Sequence, residues 1–377
     1  MATIAVFGIG DIGQAVLRGL ATYPSVTRLW AFSRRAEALQ SIRADLAAIS
    51  YYRGHAIDLQ FCNLDLQNLD AVAATLAATQ PDVIVNTATL RAWWMPSPLT
   101  QADQLKLRLE ARLGPWLPVH LALALNLMQA RQQAVPHVPV VNLALPDLVN
   151  PVLGKLGLAP TCGAGNSEFL AAAIADHIAQ QLGVPTPEIQ VELVAHHFHC
   201  NYFWSGLDAV ESLADWPYWL KVFHRQDNIT ADFGRLALLT EAGRLLPRGR
   251  VMAVRTGASA VKNIMRLVWQ DLTRTHVCSP GGLGGGCDAR LRPDGAEMLR
   301  PEGLSATAAQ QIETRGLMGD GIQSIEPSGE VRFTPQAIAA FKQVLGYDCP
   351  ILKPEHAAER ATELINCLET YRGSQNR

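Results

Sequence analysis

The chain opens with Thr3-Ile4-Ala5-Val6-Phe7-Gly8-Ile9-Gly10-Asp11-Ile12-Gly13, followed by Gln14-Ala15-Val16-Leu17-Arg18-Gly19-Leu20. An apolar run of strand type enters a Gly-x-Gly-x-x-Gly turn, and apolar residues at helical spacing come after it. Gly8 permits the tight turn, Gly10 lets backbone approach a pyrophosphate, and Gly13 allows the helix to lie close to the strand. Free N–H groups at the helix start face negative charge. Arg28-Leu29-Trp30-Ala31-Phe32 adds a second strand and completes a βαβ unit of about 30 residues. This order predicts a dinucleotide held over Gly8, Gly10, Asp11, Ile12 and Gly13.

The end of the second strand bears on which dinucleotide. An NAD site places a carboxylate there to accept from the ribose hydroxyls. Here stand Ser33, Arg34 and Arg35. A hydroxyl and two guanidiniums suit the extra phosphate of NADP, because arginine grips phosphate with a bidentate fork. NADP(H) is therefore expected over NAD(H).

Outward from the glycine turn, Ala71 to Ala78 reads as helix, Asp82-Val83-Ile84-Val85-Asn86 as strand, Gln101 to Arg131 as mostly helix, and Val138-Pro139-Val140-Val141-Asn142 as strand. Strands alternating with helices predict an α/β Rossmann architecture, a doubly wound parallel sheet, over residues 1–150. Past residue 150 the pattern changes. A helix over Ser167 to Leu182, a strand at Ile189–Val194, helices near 204–250, an amphipathic helix from Gly257 to Leu272, a hairpin with turns at Asp294-Gly295 and Ser328-Gly329, and a closing helix near 355–371 predict a C-terminal α+β domain over 151–377 for substrate and oligomerisation. Pro280 to Gly286 breaks regular structure. Its glycines resemble a phosphate loop only in composition, since no helix start or lysine follows.

The 377 residues suit two domains sharing a cleft. With 49% hydrophobic and 18% charged residues the chain can bury a sizeable core. Its 32 basic and 34 acidic residues are mixed along the sequence, which leaves no footprint for nucleic acid or a membrane surface and favours a small-molecule partner. Seven scattered cysteines without a CxxC pair suit reduced thiols. The first residues enter a strand directly, so they do not read as a signal peptide, and no run approaches 18 apolar residues, so a cytoplasmic location is expected.

Later landmarks resemble the lactate and malate dehydrogenase superfamily in order. Asn86-Thr87-Ala88-Thr89-Leu90-Arg91 is similar to the turn and arginine-bearing loop after that family's fourth strand, and Val140-Val141-Asn142 to the strand whose asparagine lies beside the nicotinamide. Gly157-Leu158 and Gly163-Ala164-Gly165-Asn166 resemble the segment joining its domains. Leu182-Gly183-Val184, a strand and His197 resemble its approach to the catalytic histidine, and Arg255-Thr256 with Gly257-Ala258-Ser259-Ala260 a helix start that touches substrate. The likeness covers about residues 1–340, with an insertion near 205–250. It implies His197 as acid/base, Asn142 beside the nicotinamide, Thr87, Ala88 and Thr89 along the cofactor, Arg91 or Arg255 for a substrate anion, and a homodimer.

Two departures follow from the same comparison. Where the family's helix carries an aspartate for the histidine and an arginine for a substrate carboxylate, this chain has Phe169 and Ala172, and the adjacent Glu168 would point elsewhere. A 2-oxo acid loses its bidentate anchor, and His197 loses the partner that fixes its tautomer. The expectation is a reductase acting on a carbonyl or imine of another kind, with an NADP-binding redox sensor as the competing class.

His196, His197, His199 and Cys200, with Cys162 in an earlier turn, also admit a metal-site reading, because imidazole and thiolate are ligands for zinc-type ions. An NAD- and manganese-dependent glycosidase family with a similar fold uses cysteine and histidine in these regions. The spacing matches no ligand motif, and no metal is expected. Tyr202, Phe203, Trp204, Trp216, Tyr218 and Trp219 read as a lid or dimer contact, or as the wall of an apolar pocket.

Overall fold

The computed structural model describes residues 1–91, 99–246 and 248–375. The first part alternates strictly: β1 (Ala2–Phe7), α1 (Asp11–Leu20), β2 (Val26–Ser33), α2 (Ala36–Arg53), β3 (Asp58–Asn63), α3 (Leu69–Thr79) and β4 (Val83–Asn86). After β4 come α4 (Gln101–Lys106), α5 (Leu117–Ala134), β5 (Val140–Asn142), α6 (Pro146–Lys155) and β6 (Cys162–Gly163). All six strands are parallel, in the order β3-β2-β1-β4-β5-β6. Val6, Val85 and Val141 are buried because helices cover both faces. The order reverses between β1 and β4, which opens a crevice at the strand ends.

The helix expected across Gln101 to Arg131 is interrupted. Arg112 sits at φ +63°, and Gly114-Pro115 starts a separate 3-10 turn before α5. Proline cannot donate into a continuing helix, so the segment restarts there. α5 is buried nearly all round, because α3 and a C-terminal helix pack on different sides of it.

The second part begins with α7 (Ser167–Leu182), β7 (Ile189–Val194), α8 (His197–Ser205), β8 (Trp219–His224), β9 (Asp227–Asn228), α9 (Thr230–Phe233), α10 (Arg235–Arg244) and α11 (Met252–Trp269). It continues with β10 (Thr275–Cys278), β11 (Gly286–Arg292), β12 (Gly295–Met298), α12 (Ala306–Gly319), β13 (Ile322–Ile325), β14 (Val331–Phe333), α13 (Pro335–Leu345), β15 (Ile351–Leu352) and α14 (Ala357–Gln375). Strands β7-β8-β9, β10-β11-β12 and β13-β14-β15 form three small antiparallel sheets.

The chain does not divide spatially at residue 150. β6 lies beyond that point yet joins the parallel sheet, and Ile322, Phe341, Leu364 and Leu368 enter one core with Leu121, Leu123 and Val152. α11 lies against α1, where a Cβ on Gly257 would come within 2.6 Å of Ala15. This helix starts at Met252 rather than Gly257 and stops at Trp269, where Gln270 turns left-handed at φ +52°. Among the described residues no helix is long and apolar enough to cross a membrane.

Candidate functional site

The three glycines of the first turn do different work. Gly8 holds φ +91°, and a Cβ there would lie 2.7 Å from backbone atoms of Ala88. A Cβ on Gly13 would stand 2.0 Å from the Gly8 carbonyl oxygen, so only glycine lets α1 lie this close. Around Gly10 a Cβ would meet nothing within 4 Å. The α1 terminus has no side-chain cap there and keeps N–H groups for an anion. Thr87 Oγ1 donates to the Gly8 carbonyl at 2.5 Å and ties the turn to the end of β4.

That turn forms one wall of a cleft of about 870 Å³. Gly8, Gly10, Asp11, Ile12, Ser33, Arg34, Arg35, Thr87, Ala88, Thr89, Arg91 and His197 all line it, so both ends of the sequence reading meet in one cavity. Gly13 lies beneath as packing. At the β2 end Ser33 Oγ accepts from the Arg35 N–H at 3.1 Å, Arg34 lies 4.0 Å from Asp65, and Arg35 is exposed. Among the described residues four arginines line the cleft, Arg34, Arg35, Arg91 and Arg372, against one carboxylate, Asp11. The balance suits a polyanion.

At the other end the structure corrects the expectation that His197 lacks a partner. His197 begins α8, and its Nδ1 lies 2.9 Å from Asp320 Oδ2 at the end of α12. Asn201, one helical turn on, donates to Asp320 Oδ1 at 3.1 Å, and His196 Nδ1 is 3.3 Å from Oδ2. Burial alone would neutralise Asp320, but the charge of His197 and the hydrogen bonds of His196 and His197 outweigh it and hold the acid well below the usual carboxylate range. For His197, burial pulls the pKa down, yet Asp320 overcomes this by charge and hydrogen bond, with help from Asp147, and the result is raised. His197 Nε2 makes no hydrogen bond among the described residues, and the side chain lines the cleft.

The signal that could have found Asp320 is the sequence Gly316-Leu317-Met318-Gly319-Asp320-Gly321. A Cβ on Gly316 would stand 2.2 Å from His196, and one on Gly319 2.5 Å from the Phe198 ring. These glycines let α12 approach α8 closely enough to present the carboxylate. Gly316→Ala should therefore displace α12, lower stability by about 1–3 kcal/mol and return the His197 pKa downward. Thermal unfolding and an NMR titration of the His197 ring would show both.

Other residues fall elsewhere. Asn142 is buried outside the cleft lining: its oxygen accepts from Asn86 Nδ2 at 2.9 Å and from the Ala144 N–H at 3.1 Å, while its amide donates to Asn150 Oδ1 at 2.7 Å. It ties β4, β5 and α6 together with both acceptor positions of its oxygen and one amide hydrogen engaged. Arg255 is exposed and lies outside the lining, which α11 supplies through Met252 and Thr256. Phe169 packs beside Trp204, Ala172 is exposed, and Glu168 pairs with Lys262 and Ser259, away from His197.

Asp147 is a further buried acid. Its Oδ2 accepts from Asn166 at 3.0 Å, its Oδ1 has no partner among the described residues, and burial raises its pKa. His199 turns back to accept from the His196 N–H at 3.1 Å, and its burial pushes it down to about 4. Cys200 is wholly buried in the α8 core, and burial pushes Cys162 up to about 12. Among the described residues no group of three His, Cys, Asp or Glu side chains is arranged to hold a metal ion. Of the aromatic stretch, Trp204 lines the cleft, 5.8 Å from His197 between ring centres, whereas Trp216 packs on Phe198 at 4.2 Å.

Solved structures share this fold. A malate dehydrogenase from Picrophilus torridus superposes with a TM-score of 0.57 at 15% identity, over 85% of this chain and 97% of its own. The lactate dehydrogenase from Cryptosporidium parvum, solved with lactic acid and nicotinamide adenine dinucleotide, gives 0.55 at 14%, over 85% and 96%. The malate dehydrogenase from Plasmodium falciparum in complex with NADH gives 0.55 at 13%, over 97% and 100%. This chain has the lactate and malate dehydrogenase fold. No family model matches the sequence, and neither does any curated protein. With this fold, the carboxylate facing the histidine comes from the end of α12 and not from α7.

Proposed function

We propose that the protein is an NADPH-dependent oxidoreductase that reduces a carbonyl or imine of a small metabolite, with His197 as proton donor. The observation that carries the reading is the single cleft joining the open glycine turn to the His197–Asp320 pair. The residues present fit the cofactor: Gly10 leaves room for a pyrophosphate, the uncapped α1 terminus faces it, and Ser33, Arg34 and Arg35 stand where a 2′-phosphate would lie. Bound there, the nicotinamide supplies the hydride.

The chain's own part is to orient and protonate. Asp320 holds the imidazole by Nδ1 and favours its charged form, which leaves Nε2–H for the cleft. As the substrate carbon gains hydride, its oxygen or nitrogen takes the Nε2 proton, and His197 is left neutral. Trp204, Met252, Leu145 and Pro146 offer an apolar wall around that point. Ala172 offers no guanidinium to a carboxylate.

The test is turnover. NADPH oxidation against a panel of ketones, aldehydes and cyclic imines should show activity that His197→Gln reduces by about 10²–10⁴-fold with NADPH affinity unchanged. Tight binding with no turnover on any substrate, and no effect of the variant, would instead mark a redox sensor. For the cofactor, replacing Arg34 and Arg35 together by alanine should weaken NADPH about 100-fold, on the order of two charge-assisted hydrogen bonds, and leave NADH nearly unaltered. Equal affinities of the unaltered protein for both cofactors would refute the NADP preference.

A further inference from the structure

The cleft also holds a side chain that the reduction does not use. Beyond the β2 terminus the lining passes to Leu64 and Leu66 after β3, Leu90 after β4, and Leu123 on α5. His120 stands on the same helix and lines the same cavity at 3% exposure. Its place is fixed from next door, where the Leu90 N–H donates to the Val119 carbonyl at 2.9 Å. Its Nδ1 is buried with no hydrogen-bond partner among the described residues. Leucine and alanine fill most buried positions of α5, and an apolar side chain would serve packing better than an imidazole with an unmet nitrogen.

We propose that His120 is a hydrogen-bonding contact for the adenosine half of the cofactor, in a slot walled by Leu64, Leu66, Leu90 and Leu123. This rests on the cofactor reading above. With the pyrophosphate over Gly10 and the ribose at Ser33 to Arg35, the base continues past the end of β2 toward β3, where these leucines lie. Flat apolar walls suit a purine, and a neutral imidazole brings one donor and one acceptor, as the purine edge and the ribose hydroxyls do. Burial pushes His120 down to about 4, so it carries no charge at neutral pH and would make a poor phosphate ligand. Phosphate recognition stays with the arginines and the α1 terminus.

The full chain would be titrated with NADPH, with adenosine 2′,5′-bisphosphate and with reduced nicotinamide mononucleotide, which lacks adenosine. His120→Leu should weaken the first two about tenfold, the size of one hydrogen bond, and leave the mononucleotide within about twofold; His120→Asn should recover part of the loss. If leucine does not pack, His120→Met serves as the apolar variant. Unchanged NADPH affinity, or an equal loss for all three ligands, overturns the proposal while the cofactor reading stands. If the unaltered protein binds neither NADPH nor NADH, the cofactor reading fails and this inference with it.

Discussion

Asp320→Asn should reduce turnover by about 10³–10⁴-fold, the scale on which a histidine loses function when its orienting carboxylate becomes an amide, while NADPH still binds. Asparagine keeps the shape but not the charge, so Nδ1 loses its anionic acceptor and burial acts on His197 unopposed by Asp320. The rate of reduction needs protonated His197 and falls as pH rises through its pKa. In the variant that limb should move to lower pH, a shift that general loosening of the fold would not produce.

Stability should follow the same pair. Asp320 is depressed below 3.8, so its contribution is present above that value and disappears as pH falls through the depressed pKa. His197 is raised above 6.5, so its contribution is full below 6.5 and disappears as pH rises through the raised value. The pair therefore supports the fold most between these two limits. Asp320→Ala, which strands a buried charge, should lose about 3–5 kcal/mol, with the deficit largest in that window. A deficit that does not vary with pH would count against the ion pair.

The second large effect separates binding from folding within one turn. Gly10 has φ −84° and an empty surround, so Gly10→Val should fold with an unchanged Tm. Its side chain would nevertheless occupy the approach of the pyrophosphate, and NADPH affinity should fall at least about 100-fold. Gly13→Ala should do the opposite first: its Cβ meets the Gly8 carbonyl at 2.0 Å and Thr87 Oγ1 at 2.8 Å, so α1 must move. Loss of stability by about 1–3 kcal/mol or more is expected there, with binding lost as a consequence. NADPH binding by Gly10→Val as tight as by the unaltered protein would remove the glycine turn from the cofactor site.

The glycine turn was legible because its pattern is local: strand, turn and helix lie within twenty residues, and Gly13 answers a contact that Gly8 creates. The place of His197 in the cleft was legible through the strand before it. Its carboxylate was not, because 123 residues separate the two and no periodicity links them; only the glycines at 316 and 319 hinted at a close helix approach. Arg255 was misplaced for a geometric reason. α11 starts at Met252 and brings Met252 and Thr256 to the cleft, while Arg255, one residue round the helix from Thr256, is exposed to solvent. Asn142 was correctly located at a strand end, but the partners that hold its amide, Asn86 and Asn150, come together only in the packed core.

The joining of Ile322, Phe341, Leu364 and Leu368 to the core beneath α5 bears on how the protein is made. A ribosome adding about 5–20 residues per second releases the glycine turn long before it reaches Asp320. The sheet must wait for its last covering layer, and α5 meanwhile exposes the leucines that α14 will later shield. Nascent chains should accordingly be open to chaperone capture on that side until α14 has been made, and the proton donor should acquire its working state only after Asp320 emerges, well after the glycine turn.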